Sequence, residues 1–426
     1  MTGRLSVFTA AFALLPCFVT VGDAQPAAPA FSALYTFAVP HTDGALVEGP
    51  LAMGTDGALY GTAEDGGAMG YGTVFKLTPP QETGGSWQHT TLYSFAGGTD
   101  GAGPGSGVIF SPNGYLYGTT MQGGAPGFGT VFQLQPPTAP GDPWTEQVIY
   151  GFMGGADGAA PYAGLAVSKD GTLYGATYEN YGGDTCNLYG CGTVFQLSPP
   201  STVGGVWTES VIYSFSGPDG TNPYAALSIG SDGALYGTTR YGGAGYGTVF
   251  QLSPPTVADG AWTETVLHNF AGAPDGSEPA GALLISANGT LYGTAATGGD
   301  PNTEAGIAFT LSPPAVSGGT WTETIIYTFG GVNGARPSGP LTPGAGGILY
   351  GTTAHGGANR IGTVYELSRS ASGGWTETVL NGLSSGEGSF ATGGVIVGPN
   401  GVLYGAATDG PIASPRGYGV VFEIVP

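Results

Sequence analysis

Carboxylates recur along this chain at fixed places within a repeated pattern. Two carboxyl groups that face one substrate at a set separation could act as the acid and the base of a glycosidase. The first repeated set follows a Trp-Thr pair and consists of Glu146, Glu209, Glu264, Glu323 and Glu377. A glutamate that returns in each copy of one strand is typical of a structural role, so we predict that this set supports the fold.

A second repeated set of acidic residues precedes glycine, shortly after an aromatic strand. Its members are Asp43, Asp100, Asp157, Asp219 and Asp275, with Asn333 in the same place of the sixth copy. A ring of carboxylates could bind calcium, which prefers oxygen ligands. Asp-Gly is also what a tight turn favours, and we expect this simpler explanation.

Histidine and cysteine point to little further chemistry. The four histidines occupy different positions of the repeat, so they predict no Ser-His-Asp or Cys-His arrangement. Cys186 and Cys191 lie in an insertion of the third copy, and in an oxidising compartment we expect them to form a disulfide worth about 2 kcal/mol. A metal site is less favoured because no histidine is near them in sequence. The sequence therefore assigns no catalytic residue, no metal and no cofactor.

These residues belong to a unit that occurs seven times. Leu-Tyr-Gly recurs with its tyrosine at Tyr60, Tyr117, Tyr174, Tyr236, Tyr292, Tyr350 and Tyr404. Each unit reads as four short strands, of which the clearest are Trp207–Phe215, Ala234–Thr239 and Gly247–Leu252. Four hairpin-connected strands in seven copies predict an all-β fold, a seven-bladed β-propeller of four-stranded blades.

The two ends of the chain predict how the ring closes. The last copy ends at residues 419–424 without the following Trp-Thr-Glu strand, and Phe31–Phe37 resembles that missing strand. We therefore expect the N-terminal strand to complete the last blade, which pairs backbone groups that an open edge would expose.

Composition limits the partners and the compartment. Residues 1–24 have the charged, apolar and small-residue parts of a signal peptide, so we expect a linker at 25–30, a propeller over 31–426, and a secreted or periplasmic protein that does not insert into the membrane once the signal is removed. Lys and Arg number 8 against 29 Asp and Glu, which gives a formal charge of −21 and excludes nucleic acid as a partner. We expect a monomer that binds a glycan or a protein.

The repeat resembles the GloVer tandem repeat of bacterial extracellular proteins. The likeness rests on Leu-Tyr-Gly-Thr-Thr, Gly-Gly and Gly-Thr-Val-Phe, the last of which stands at Gly72, Gly129, Gly192 and Gly247. It implies an exported protein, often with a C-terminal sorting anchor, and it implies no activity. The chain ends at Glu423–Pro426 without an anchor-like tail, so surface attachment stays open. The strand order also resembles that of kelch propellers.

The copies differ mainly in the loop between the third and fourth strands. With a kelch-like order, this loop and the Asp-Gly connection share one face, where we predict a ligand-binding site. Its candidate residues are Glu64, Asp65, Tyr178, Tyr181, Arg240, Tyr241, His355 and Asp409. We expect a non-catalytic binding protein; the alternatives are a carbohydrate-active hydrolase or lyase on the same scaffold and a structural component of the cell envelope.

Overall fold

A computed structural model describes most of the chain. It covers residues 28–37, 42–82, 84–139, 141–180, 186, 190–202, 204–257, 260–316, 318–370, 373–409 and 418–426. The predicted signal peptide, the first half of the linker and the candidate residue Tyr181 lie outside these ranges. No helix in the described ranges has the length and hydrophobicity needed to cross a bilayer.

The described chain forms seven antiparallel sheets, which we number as blades. Blade 1 contains β2 (Ala52–Met53), β3 (Leu59–Ala63), β4 (Thr73–Thr78) and β5 (Gln88–Ser94). Blade 2 contains β6 (Ile109–Phe110), β7 (Leu116–Thr120), β8 (Thr130–Gln135) and β9 (Thr145–Gly151). Blade 3 contains β10 (Ala166–Val167), β11 (Leu173–Thr177), β12 (Thr193–Ser198) and β13 (Thr208–Ser214).

Blades 4 and 5 each have a fifth, short strand. Blade 4 contains β14 (Thr221–Pro223), β15 (Ser228–Ile229), β16 (Leu235–Tyr241), β17 (Thr248–Ser253) and β18 (Thr263–Asn269). Blade 5 contains β19 (Gly276–Pro279), β20 (Leu284–Ile285), β21 (Leu291–Gly298), β22 (Ile307–Ser312) and β23 (Thr322–Thr328). The extra strand pairs with the same neighbour as the first regular strand, so the four-stranded plan is preserved.

Blade 7 joins the two ends of the chain. Blade 6 contains β24 (Thr342–Pro343), β25 (Leu349–Thr353), β26 (Thr363–Arg369) and β27 (Trp375–Gly382), with a 3-10 turn at Ala345–Gly347. Blade 7 contains β28 (Val395–Val397), β29 (Leu403–Ala407), β30 (Val420–Val425) and the N-terminal β1 (Ala30–Thr36), with a 3-10 turn at Pro399–Gly401.

The predicted seven-bladed propeller and its closure are confirmed. Strand β1 pairs with β30 antiparallel, from Ala30 opposite Val425 to Thr36 opposite Val420. The Thr392 hydroxyl of blade 7 also donates to the Glu48 carbonyl before blade 1, at 3.2 Å. The first and last blades are therefore joined by a strand ladder and by a side-chain bond.

The repeated motif is explained by packing within and between blades. In blade 1, a Cβ on Gly61 would lie 2.6 Å from the ring of Phe75, so the Leu-Tyr-Gly glycine leaves room for the Gly-Thr-Val-Phe ring. That Phe75 ring packs edge-on against Phe37, which directly follows β1, with centroids 5.1 Å apart. Both phenylalanines are fully buried, and the apolar core is divided into seven clusters between neighbouring blades.

Candidate ligand site at the mouth of the axial channel

The repeated carboxylates of the outer strands tie neighbouring blades together. The Tyr150 hydroxyl donates to Asp157 at 2.9 Å, and Asp157 also accepts the backbone N–H of Met153 at 2.7 Å. Glu209 of the next blade lies beside this pair, and burial, followed by the charge of Asp157, raises its pKa to about 7. The aspartates therefore close turns, as expected, and the glutamates lie between blades.

The predicted disulfide is present in the loop that follows β11. Cys186 and Cys191 are bonded, with their Cα atoms 5.5 Å apart. Asn180 fixes the end of this loop, since its side-chain oxygen accepts the N–H groups of Cys191 and Gly192 at 2.7 and 2.9 Å. Asn180 and Cys191 are thus held together just before β12 of blade 3.

The loop and the Asp-Gly segment do share one face of the ring. Backbone bridges join Ala45 to Asp65, Ala159 to Glu179 and Ala335 to His355. Glu48, Tyr162 and Ser338 each follow a bridged alanine by three positions, and all three line the axial channel of the ring. The predicted ligand face is therefore also the face at which that channel opens.

The channel is lined by one equivalent residue from each blade. These residues are Glu48, Gly105, Tyr162, Tyr224, Ala280, Ser338 and Thr392, and the cavity they help to enclose offers about 240 Å³ to water-sized molecules. Most of the remaining lining is glycine, alanine and proline. Three of the seven positions, Glu48, Tyr162 and Tyr224, therefore carry most of the chemistry at this mouth.

A left-handed turn sets these side chains in place. The residue two positions before each channel-lining residue has a positive φ even where it is not glycine. The φ values are, for example, 59° at Leu46, 58° at Asn222 and 54° at Glu278. The N–H of this residue donates to the neighbouring blade, as Asn222 does to the Cys191 carbonyl at 2.7 Å. Such a conformation costs an L-residue about 1 to 2 kcal/mol, and the inter-blade bond helps to maintain it.

Three tyrosines meet at the mouth. Tyr162 stacks on Tyr224 with centroids 5.2 Å apart, and Tyr178 lies 5.9 Å from Tyr162 and 6.2 Å from Tyr224. All three are half-buried, and burial raises the pKa of each hydroxyl. They form a continuous aromatic surface, which we call the tyrosine platform, with hydroxyls that stay protonated near neutral pH.

Carboxyl groups cluster beside the platform. Glu48 and Tyr162 line the channel together, and Glu64 and Tyr162 line an adjoining cavity. Burial, then the charges of Glu48 and Asp65, raises the pKa of Glu64 to about 7. Burial, then Asp409 and Asp65, also raises the pKa of Glu48. The neighbouring carboxylates therefore disfavour the ionisation of Glu48 and Glu64.

Arg240 lies on the other side of the platform. It donates to Glu278 of blade 5 through Nη2 at 2.9 Å and through Nε at 3.2 Å. Its guanidinium carbon also lies 5.5 Å from the ring centroids of both Tyr224 and Tyr241. The charge of Arg240 is therefore matched by Glu278, and the guanidinium of this ion pair packs against Tyr224 of the platform.

The remaining candidate residues take different places. Asp65 is exposed, and burial raises the pKa of the half-buried Asp409. His355 packs edge-on against Phe390 at 5.0 Å; burial, then the charge of Arg336, lowers its pKa and favours the neutral ring. The structure places His355 on blade 6 and shows no contact between it and the platform.

Sequence reasoning missed the residues that enter the channel. Glu48, Tyr162 and Tyr224 lie after the Asp-Gly turn, whereas the prediction named residues of the later loop only. The available signal was the same one used for that loop, namely unlike residues at one position of otherwise similar copies. Comparison of the fifth residue after each Asp would have revealed Glu48, Tyr162 and Tyr224.

Comparison with known protein families agrees with the repeat. The Gloeobacter/Verrucomicrobia repeat matches residues 20–202 and 245–426. No curated protein is detectably similar to the chain in sequence.

Similar solved structures have low sequence identity to the chain. A Thermus thermophilus protein described as a candidate oxidoreductase (glucose dehydrogenase) is 16% identical, with a TM-score of 0.43 over 93% of this chain and 100% of its own. A protein of unknown function from Dyadobacter fermentans is 12% identical, with a TM-score of 0.44 over 93% of this chain and 98% of its own. A glucose dehydrogenase is 18% identical, with a TM-score of 0.44 over 80% of this chain and 100% of its own. Similarity at this level says nothing about ligand or reaction.

Proposed function

The chain belongs to the Gloeobacter/Verrucomicrobia repeat family, and we propose that it is an exported propeller that binds a carbohydrate at the mouth of its axial channel. The observation that carries this proposal is the tyrosine platform of Tyr162, Tyr178 and Tyr224 beside two half-buried glutamates. The disulfide supports export, because such bonds persist in oxidising compartments.

The platform has the properties that a sugar site needs. A tyrosine ring offers an apolar face to the C–H groups of a sugar, while its hydroxyl can bond to a sugar hydroxyl. Carboxylates at the edge of the platform accept further hydrogen bonds from sugar hydroxyls. A concave site with a few convergent polar groups is the usual form of a small-ligand pocket.

The test is glycan binding by the purified protein and by a platform variant. We expect the wild type to bind a subset of polysaccharides on a glycan array, and Tyr162→Ala/Tyr224→Ala to lose about tenfold or more in affinity. Tyr115→Ala is the matched control, because Tyr115 is a half-buried tyrosine at the hairpin turn of blade 2, on the opposite face. If the array shows no binding, a structural role in the envelope replaces this proposal.

A second candidate function is carbohydrate cleavage, and one observation favours it. Glu64 is half-buried, its pKa is raised to about 7, and Glu48 lies close enough to contribute to that shift. A protonated carboxyl near a carboxylate is the arrangement that glycosidases use for acid catalysis. In that mechanism Glu64 protonates the leaving oxygen and Glu48 acts as base or nucleophile.

Release of reducing ends from the glycans that bind would test cleavage. A hydrolase should show a rate that falls above about pH 7 as Glu64 loses its proton, and Glu64→Gln should abolish that rate while binding is retained. Binding without any release of reducing ends would leave the binding function and exclude hydrolysis of those glycans.

A further inference from the structure

The charges at the channel mouth are divided unequally between its two sides. Glu48, Glu64, Asp65 and Asp409 lie on the side of blades 7 and 1, and none of them takes part in an ion pair among the described residues. On the opposite side, Arg240 is paired with Glu278. The acidic side therefore carries negative charge that the described protein does not compensate.

The platform brings a ligand next to this charge. Tyr162 belongs to the stacked pair with Tyr224 and also lines both cavities, one together with Glu48 and the other together with Glu64. A sugar ring that lies on Tyr162 would thus have the two carboxyls at its edge. Tyr162, on which the sugar packs, is therefore a neighbour of both carboxyl groups that respond to the charge of the sugar.

We infer that the glycan bound at this mouth carries a protonated amine, as an amino sugar with a free amino group does, and that Glu48 and Glu64 bind that amine. This inference rests on the proposed function and names its ligand class. A uronate or a sulfated sugar would add negative charge to a site that already has an excess. A neutral sugar would leave in place the repulsion that Glu48 and Glu64 experience from the neighbouring carboxylates.

An ammonium group suits each part of the site. Charge-assisted hydrogen bonds from an ammonium to a carboxylate are stronger than neutral ones. The faces of the tyrosine rings attract the same cation. Binding also stabilises the ionised forms of Glu48 and Glu64, so a proton is released where Glu64 was protonated in the free protein.

The experiment compares two probes that differ only at the nitrogen: the tetramer of β-1,4-linked glucosamine and its fully N-acetylated counterpart. Isothermal titration at about pH 6.5 measures both affinities. We expect the wild type to bind the free-amine tetramer about tenfold more tightly, with proton release that makes the enthalpy depend on the ionisation enthalpy of the buffer.

The isosteric double variant Glu48→Gln/Glu64→Gln should lose that preference of about tenfold, so that it binds the two probes with equal affinity. Glu82→Gln, an exposed glutamate in the loop after β4 on the opposite face, is the control and should behave as the wild type. Equal affinity for the two probes in the wild type would overturn the amine inference and leave glycan binding intact. Binding of neither probe would overturn the inference and count against the proposed function itself.

Discussion

Within the described chain, six of the blade interfaces share one set of side chains, and the interface between blades 6 and 7 has another. At each of the six, a tryptophan that precedes or begins an outer strand packs on the Leu-Tyr-Gly tyrosine of the preceding blade. The pairs are Trp87–Tyr404, Trp144–Tyr60, Trp207–Tyr117, Trp262–Tyr174, Trp321–Tyr236 and Trp375–Tyr292. A Tyr–Asp–Glu cluster, or a close variant of it, accompanies each pair.

The interface between blades 6 and 7 replaces these groups one by one. Strand register places Pro29 where the others have tryptophan, and Phe31 where five of them have glutamate and blade 1 has His89. On the blade 6 side, Asn381 stands for tyrosine, Glu387 for aspartate and Leu383 for phenylalanine. This interface therefore has neither the aromatic pair of the other six nor the half-buried glutamate that five of them contain.

The difference between the interfaces follows from the way in which the ring closes. The outer strand of blade 7 comes from the other end of the chain, so this interface lacks the tryptophan and the glutamate that the later repeats carry. An apolar cluster that includes Phe31, Leu383 and Phe422 takes their place, and the ladder between β1 and β30 holds β1 within blade 7. The rings of Phe31 and Phe422 pack within blade 7, with centroids 5.3 Å apart. Apolar packing does here what the tryptophan–tyrosine pair and the polar cluster do at the other interfaces.

The largest expected effect follows from removal of β1. A chain that begins at Thr42 loses the ladder and the fully buried Phe37, and we expect it to lose cooperative thermal unfolding, because these contacts exceed the margin of about 5 to 15 kcal/mol that keeps a domain folded. Calorimetry and near-UV circular dichroism measure this. A synthetic peptide of residues 28–37 should restore the transition, and an unchanged transition without it would contradict the closure by β1.

A smaller effect separates the two kinds of interface directly. Trp207→Ala should lower the free energy of unfolding by about 2 to 3 kcal/mol, since the half-buried ring loses its contact with Tyr117. At the closing interface, Pro29→Trp should be more stable than Pro29→Ala by about 0.5 to 1.5 kcal/mol, because the new ring adds the missing contact to Tyr350.

The comparison of the two Pro29 variants isolates that contact. Both variants lose the proline ring, whose restriction of the unfolded chain is worth about 0.4 to 1 kcal/mol where the fold tolerates it, so this loss cancels between them. Denaturant unfolding measures the difference. A Pro29→Trp variant that is less stable than Pro29→Ala would mean that the closing interface has no room for the common arrangement.

The sequence predicted the ring more completely than the site, for a physical reason. The repeated residues such as Tyr117 and Trp207 make the same contact at six of the seven interfaces, so the period alone reveals blade number and closure. The candidate site residues occupy positions at which the copies differ, and these residues come close together only in the closed ring. Arg240 and Glu64 were recognisable as unlike loop residues, but the meeting of Tyr162 with Glu64 across two blades depends on the tertiary fold.

The smallest effect concerns the glutamates that the closing interface lacks. Burial, then the charge of a neighbouring aspartate, raises the pKa of Glu146, Glu209 and Glu264 to about 7, from 4.5 for an exposed carboxyl. A carboxyl with a raised pKa in the folded state stabilises the fold fully below its unfolded pKa, and that contribution is lost as the pH rises through the folded pKa.

The free energy of unfolding should therefore fall between about pH 4.5 and pH 7, by about 1 kcal/mol for each of these glutamates once solvent screening is allowed for. The triple variant with glutamine at all three positions should flatten this part of the pH profile, because a neutral amide keeps the shape and removes the ionisation. Glu82→Gln controls for loss of charge at an exposed site and should leave the slope unchanged. Stability that rises over this pH range in the wild type would show that these inter-blade glutamates are ionised in the fold, and their three interfaces would then be held by charged rather than protonated carboxyls.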